Sequence, residues 1–104
     1  MDFSGFDWDD GNREKCRKHG VSIAEVENLF LSVPGLWPDL KNSALEPRTR
    51  AIGKTAKGRW IFAVFTIRFR EGFVLIRPIS ARYMHAKEIA HYEKAQATSG
   101  SYER

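Results

Sequence analysis

The chain has 104 residues, 42% of them hydrophobic and 29% charged, and a net charge of +4. That suits one small globular domain and argues against a multidomain or wholly disordered protein. No apolar run approaches the roughly 18 residues that span a bilayer. The first five residues lack the regions of a signal peptide, and a lone cysteine, Cys16, allows no internal disulfide. A cytoplasmic protein is therefore expected. The basic balance favours a polyanionic partner, either nucleic acid or an acidic protein.

In chain order, residues 3–8 are aromatic and loosely alternating, which predicts a short strand. Asp9-Asp10-Gly11-Asn12 is turn chemistry that can cap a basic helix over 13–19, stopped by Gly20. Ser22 with Glu25 three residues on is a capping box, and Ile23, Val26 and Phe30 follow at helical spacing, predicting a helix over 23–31. Pro34-Gly35 ends it, and residues 37–45 read as irregular. A strand over 47–53 and a polar turn over 54–58 precede the strongest strand signal, 60–69, which is apolar on both faces like a covered central strand. Arg70-Glu71-Gly72 is a hairpin loop, and the chain returns as a strand over 73–81. Pro78 has no N–H to donate there, so the strand is an edge or carries a bulge. A helix over 85–96 closes a single domain of residues 1–96, and 97–104 is expected to fray. The fold class is α+β: a short strand, two helices, a three-stranded antiparallel sheet and a last helix.

The cations are grouped. Lys15, Arg17, Lys18 and His19 share the first helix; Lys54, Lys57 and Arg59 surround a turn; Arg77, Arg82 and Lys87 follow the last strand into the last helix. Antiparallel pairing can gather such groups, and the cluster would grip phosphate and spread the charge of an attacked phosphodiester. RNA cleavage without a metal needs a base for the ribose 2′-hydroxyl, cations for the transition state and an acid for the leaving oxygen. His19 is a candidate for either proton role because an imidazole can serve as acid or base, and Glu88 could act as base if arginines keep it ionised. Arg59, Arg77 and Arg82 suit phosphate because a guanidinium binds two oxygens at once. Trp60, Tyr83 and Tyr92 could stack bases, although tryptophans and strand phenylalanines are more often core. The plainer readings are His19 as a helix cap and Glu88 as a surface pair. Arg77 and Arg82 are five positions apart and share a face only if Pro78 introduces a bulge. The three histidines show no metal-binding spacing, and no glycine-rich phosphate loop is present.

The motifs Phe6-Asp7-Trp8-Asp9, Lys18-His19-Gly20-Val21-Ser22, Ala51-Ile52-Gly53 with Gly58-Arg59, and Arg77-Pro78-Ile79-Ser80-Ala81-Arg82 with Lys87-Glu88 and Tyr92-Glu93 follow in order. This ordered set resembles the BrnT toxin family from about Phe6 to Glu93, with Cys16 where the family usually has asparagine. The resemblance implies a RelE-like fold and a type II toxin–antitoxin ribonuclease that blocks translation. It implies no cofactor, RNA as substrate, and a ribbon–helix–helix (BrnA-like) antitoxin through which alone DNA is bound. Carried over by position, its site residues fall on Lys18, His19, Arg59, Arg77, Arg82 and Glu88, with Tyr92 nearby. The resulting expectation gives catalysis to His19, Glu88, Arg59 and Arg82, and RNA binding to Lys18, Arg77, Lys87 and Tyr92. A binding module that has lost catalysis is the alternative. An antitoxin-like regulator fits less well, because no recognition-helix pattern is evident.

Overall fold

The computed structural model describes residues 2–40 and 46–102. The elements are β1 (Gly5–Phe6), α1 (Asp10–Arg17), α2 (Ile23–Leu31), β2 (Gly35–Pro38), β3 (Thr49–Lys54), β4 (Trp60–Arg70), β5 (Phe73–Tyr83) and α3 (Ala86–Tyr102). The α+β class and the element order follow the sequence reading, but the sheet is larger. It is five-stranded and mixed, in the order β1-β5-β4-β3-β2, with β1 parallel to β5 and the other pairs antiparallel. The expected three-stranded antiparallel sheet is its centre. Gly35–Pro38, read as the end of a helix and the start of an irregular stretch, is instead an edge strand on β3. An edge tolerates Pro38 because its outer N–H has no ladder to join. Residues 41–45 of the expected irregular stretch lie outside the described residues, as do 103–104 of the expected tail. The last helix runs beyond residue 96, where the sequence reading ended it.

Local chemistry sets the boundaries. α1 begins at Asp10, earlier than expected, because Asp9 and Asn12 form a reciprocal cap. Asn12 N–H donates to Asp9 Oδ1 at 3.0 Å, and Asp9 N–H donates to Asn12 Oδ1 at 2.7 Å. The buried Asn12 amide also donates to the carbonyls of Asp7 and Pro78, at 2.9 and 2.8 Å, which fastens α1 to β5. The Ser22–Glu25 box forms as expected. At the β4–β5 hairpin, Glu71 and Gly72 both have positive φ, the signature of a two-residue turn matched to strand twist.

One face of the sheet packs on α1 and α2. Ile61, Ala63 and Phe65 of β4 meet Val26, Leu29, Phe30 and Cys16 there. Burial lifts the Cys16 thiol to about 11, only partly offset by Lys15, so it packs as an inert apolar group. The opposite face carries Phe62, Val64 and Thr66. β4 is thus the covered central strand that its two-sided apolar pattern predicted. On that second face α3 docks through Tyr92, which is buried edge-on between Trp37 and Trp60 at centroid distances of 5.2 and 5.3 Å.

The register shifts between Val64 and Phe65, which pair with Ser80 and Pro78, leaving Ile79 as an extra residue. This is the bulge that Pro78 foreshadowed. It brings Arg77, opposite Thr66, onto the same face as Arg82, opposite Phe62.

Candidate active site

Where β3 ends and β4 begins, the Lys54–Trp60 connection closes on itself: Thr55 N–H donates to the Arg59 carbonyl at 2.7 Å, and Gly58 N–H to the Thr55 carbonyl at 2.9 Å. Gly58 has φ +84°, a conformation that costs glycine little. The turn holds Arg59 beside the end of β5, and its guanidinium lies over the Tyr83 ring, 3.5 Å from the centroid. The Tyr83 hydroxyl donates to both oxygens of Glu25 at 2.8 and 2.9 Å and lies 3.4 Å from the Gly20 carbonyl. The turn that carries Lys18 and His19 therefore abuts this corner.

Arg59, Lys57, Tyr83, Glu25, Ser22 and Asn28 are among the residues lining a cleft of about 690 Å³. Burial pushes the Glu25 carboxyl up, but hydrogen bonds from Ser22 and Tyr83 outweigh it and hold the group below its ordinary value. The bond to Glu25 in turn raises the Tyr83 phenol. Among the described residues, no carboxylate lies within ion-pair distance of Arg59 or Lys57. The Lys54 ammonium sits over the Trp60 ring at 5.1 Å.

Arg82 precedes Tyr83 and points to the other face. Its two terminal nitrogens bind the two oxygens of Glu88, each at 2.7 Å, and its guanidinium carbon lies 4.7 Å from the Phe62 centroid. Glu88 also accepts the His85 N–H at 2.9 Å, at the start of α3. These bonds, the Arg82 fork first and the His85 N–H second, pull the Glu88 carboxyl down to about 2. Such a carboxylate is a weak base near neutral pH, which argues against the proton-transfer role expected for it.

Arg77 shares a face with Arg82, as the bulge requires, but it is turned elsewhere. It binds Asp9 at 2.8 Å and Asp7 at 3.5 Å, in the connection between β1 and α1. The positions opposite Arg77 and Arg82 are four residues apart on β4, about 13 Å along a strand. The expected single cluster is therefore divided. Arg59 lies at the helix-side cleft, Arg82 and Glu88 on the opposite face at the same end of the sheet, and Arg77 at the β1 edge. No hydrogen bond, ion pair or ring contact joins His19 to Glu88 among the described residues. Lys18 and His19 are exposed at the end of α1, and Lys87 is exposed at the start of α3. Tyr92, expected near RNA, is core, and burial raises its phenol. Among the described residues, no three His, Cys, Asp or Glu side chains group as a metal site.

Sequence reasoning noted Glu25 only as a capping residue and singled out neither Asp39 nor Arg50. Asp39, buried, accepts from Arg50 at 3.2 Å, and the Arg50 guanidinium carbon lies 5.9 Å from Phe62, on the face that carries Arg82. A carboxylate beside Pro38 in a polar stretch gave no signal of burial.

Fold and cleft together define a small α+β domain with a cleft bordered by Arg59 and Lys57. A family model described as the ribonuclease toxin BrnT of type II toxin–antitoxin systems matches residues 8–88. The chain belongs to the BrnT family of ribonuclease toxins, and membership implies an RNA target and an antitoxin partner. A comparison with curated proteins finds no match. Among the described residues no helix is long and apolar enough to cross a membrane.

Proposed function

We propose that the chain cleaves RNA by attack of a ribose 2′-hydroxyl on the adjacent phosphodiester, at the corner where Arg59 lies over Tyr83, and thereby stops translation in the cytoplasm. The observation that carries this reading is the state of Arg59: it is fixed by a ring contact, borders a cleft and has no carboxylate within ion-pair distance among the described residues. A cation held in that way meets the developing charge without reorganising. Lys57 and Lys18 add positive potential. His19, on the adjoining turn, takes the proton of the 2′-hydroxyl and gives it to the 5′-oxygen that leaves as the phosphorus–oxygen bond breaks. Arg82 grips a second phosphate, and Glu88 orients it and caps α3 instead of acting as base. The chemistry needs no metal, so cleavage should persist in EDTA.

Incubating purified protein with RNA tests the proposal. Cleavage that disappears in Arg59→Ala and His19→Ala, with both variants folded, supports it; cleavage unchanged in both refutes it. A second reading, a binding module without catalysis, is favoured by the neutralised state of Arg77, Arg82 and Glu88. Tight RNA binding with no cleavage by the wild type would establish it. The antitoxin is proposed to be a ribbon–helix–helix protein that supplies the DNA contact for the pair. Co-expression with a neighbouring short reading frame, scored by loss of RNA cleavage, tests that.

A further inference from the structure

Two guanidinium groups converge on one phenyl ring on the face opposite α1 and α2. Arg82 comes from β5 and Arg50 from β3, the two strands that flank Phe62 on β4, so the ring stands between them. Both arginine side chains remain part exposed, at 36% and 42%. Each is held from behind by a carboxylate: Glu88 for Arg82, and Asp39 for Arg50.

Asp39 is only 2% exposed. A carboxylate taken out of water loses several kcal/mol of solvation, and an apolar residue of similar size often serves stability as well or better. What the buried acid adds is aim: it fixes a long, otherwise mobile cation over a ring. Arg82 uses both terminal nitrogens on Glu88, whereas Arg50 gives Asp39 one contact, from Nη2. With five N–H donors in its planar fork, Arg50 keeps several for another acceptor.

We infer that Arg50 contacts the phosphate backbone of bound RNA beside Arg82, across Phe62, and that Asp39 is its positioning residue. The inference rests on the ribonuclease reading and extends the substrate path from the Arg59 cleft around the end of the sheet. It makes Arg50 a binding residue for single-stranded RNA outside the reacting phosphodiester.

The test is binding of a 2′-O-methyl RNA oligonucleotide, which lacks the attacking hydroxyl, measured across salt concentration. Arg50→Ala is expected to bind about tenfold more weakly at low salt, and the slope of log affinity against log salt should fall by about 0.7, one phosphate contact on a single strand. Asp39→Asn should weaken binding less, and adding it to Arg50→Ala should cost nothing further, the non-additivity of a residue acting through its partner. Arg50→Ala with an intact melting profile carries the test alone if Asp39→Asn fails to fold. An Arg50→Ala variant with wild-type affinity and slope, while the wild type cleaves RNA, overturns this inference and spares the ribonuclease reading. A wild type that neither binds nor cleaves RNA overturns both. Loss of poly-glutamate binding in Arg50→Ala at unchanged RNA affinity also overturns it, and gives the site to an acidic protein partner.

Discussion

Arg82 and Tyr83 are neighbours in β5, yet they border two regions that hold their arginines differently. On the Tyr83 side, Arg59 is held by an aromatic face and a tight turn, with no described carboxylate in ion-pair contact and Glu25 acting on it only from longer range. On the Arg82 side, each guanidinium is matched by an acid: Glu88 for Arg82 and Asp39 for Arg50. The difference separates two ways of fixing an arginine. A ring orients the cation and leaves most of its potential, whereas a carboxylate in direct contact orients it more firmly and cancels much of the field. The first suits stabilisation of a transient anion; the second suits a contact that must be well placed and weak enough to release product.

The sharpest way to break this comparison is Arg59→Ala. If the ring-held cation stabilises the transition state, single-turnover RNA cleavage should fall by about 10²–10³, the usual cost of one such donor, with the melting temperature nearly unchanged. Arg77→Ala asks whether the third arginine belongs to either region. Its two carboxylates bind it to the connection before α1, so denaturant titration should show a loss of about 1–3 kcal/mol, while cleavage per folded molecule stays within about twofold.

Glu88→Gln sharpens the acid-paired side. The folded-state carboxyl titrates near 2 against an ordinary value of 4.5, so the native protein binds fewer protons than the unfolded chain in that interval. The stabilisation is complete above pH 4.5 and is lost as pH falls toward 2. Glu88→Gln should flatten this part of the stability–pH curve and cost about 1 kcal/mol at neutral pH, because the pair is a third exposed and screened by water. Unfolding transitions of both proteins between pH 2.5 and 6 measure it. The smallest effect is expected from Tyr83→Phe, which keeps the ring under Arg59 but removes the bonds to Glu25. Cleavage should stay within severalfold, with about 0.5–1.5 kcal/mol lost in a thermal melt.

The sequence carried the central fold in its periodicities. The two-sided apolar run over 60–69 and the Ser22–Glu25 box led to β4 and α2, and Pro78 pointed to the bulge. A first strand was expected over 3–8, but its place in the sheet was hidden, and β2 was hidden altogether, for physical reasons. β1 pairs through two residues, and β2 is a four-residue edge that begins with glycine and ends with proline, against local strand propensity. For the site, residue types were legible and partners were not. Arg77 meets Asp9 across 68 residues of chain, and Arg82 and Tyr83 differ in fate only because strand residues alternate between faces. Tyr92 carried a polar tip that suggested RNA, but its ring fills the space between two tryptophans.

Gly35 sits in an edge strand and contributes no side chain to the cleft, yet a methyl group there would come within 2.6 Å of both the Trp37 ring and the Tyr92 hydroxyl oxygen. An alanine at this position would act as a wedge under the latch of the carboxy-terminal helix. The helix would tilt away from the sheet, carrying with it the acid that orients Arg82. Loss of activity caused from so remote a position would be easily mistaken for a defect in chemistry, when only the carrier of one side chain had moved.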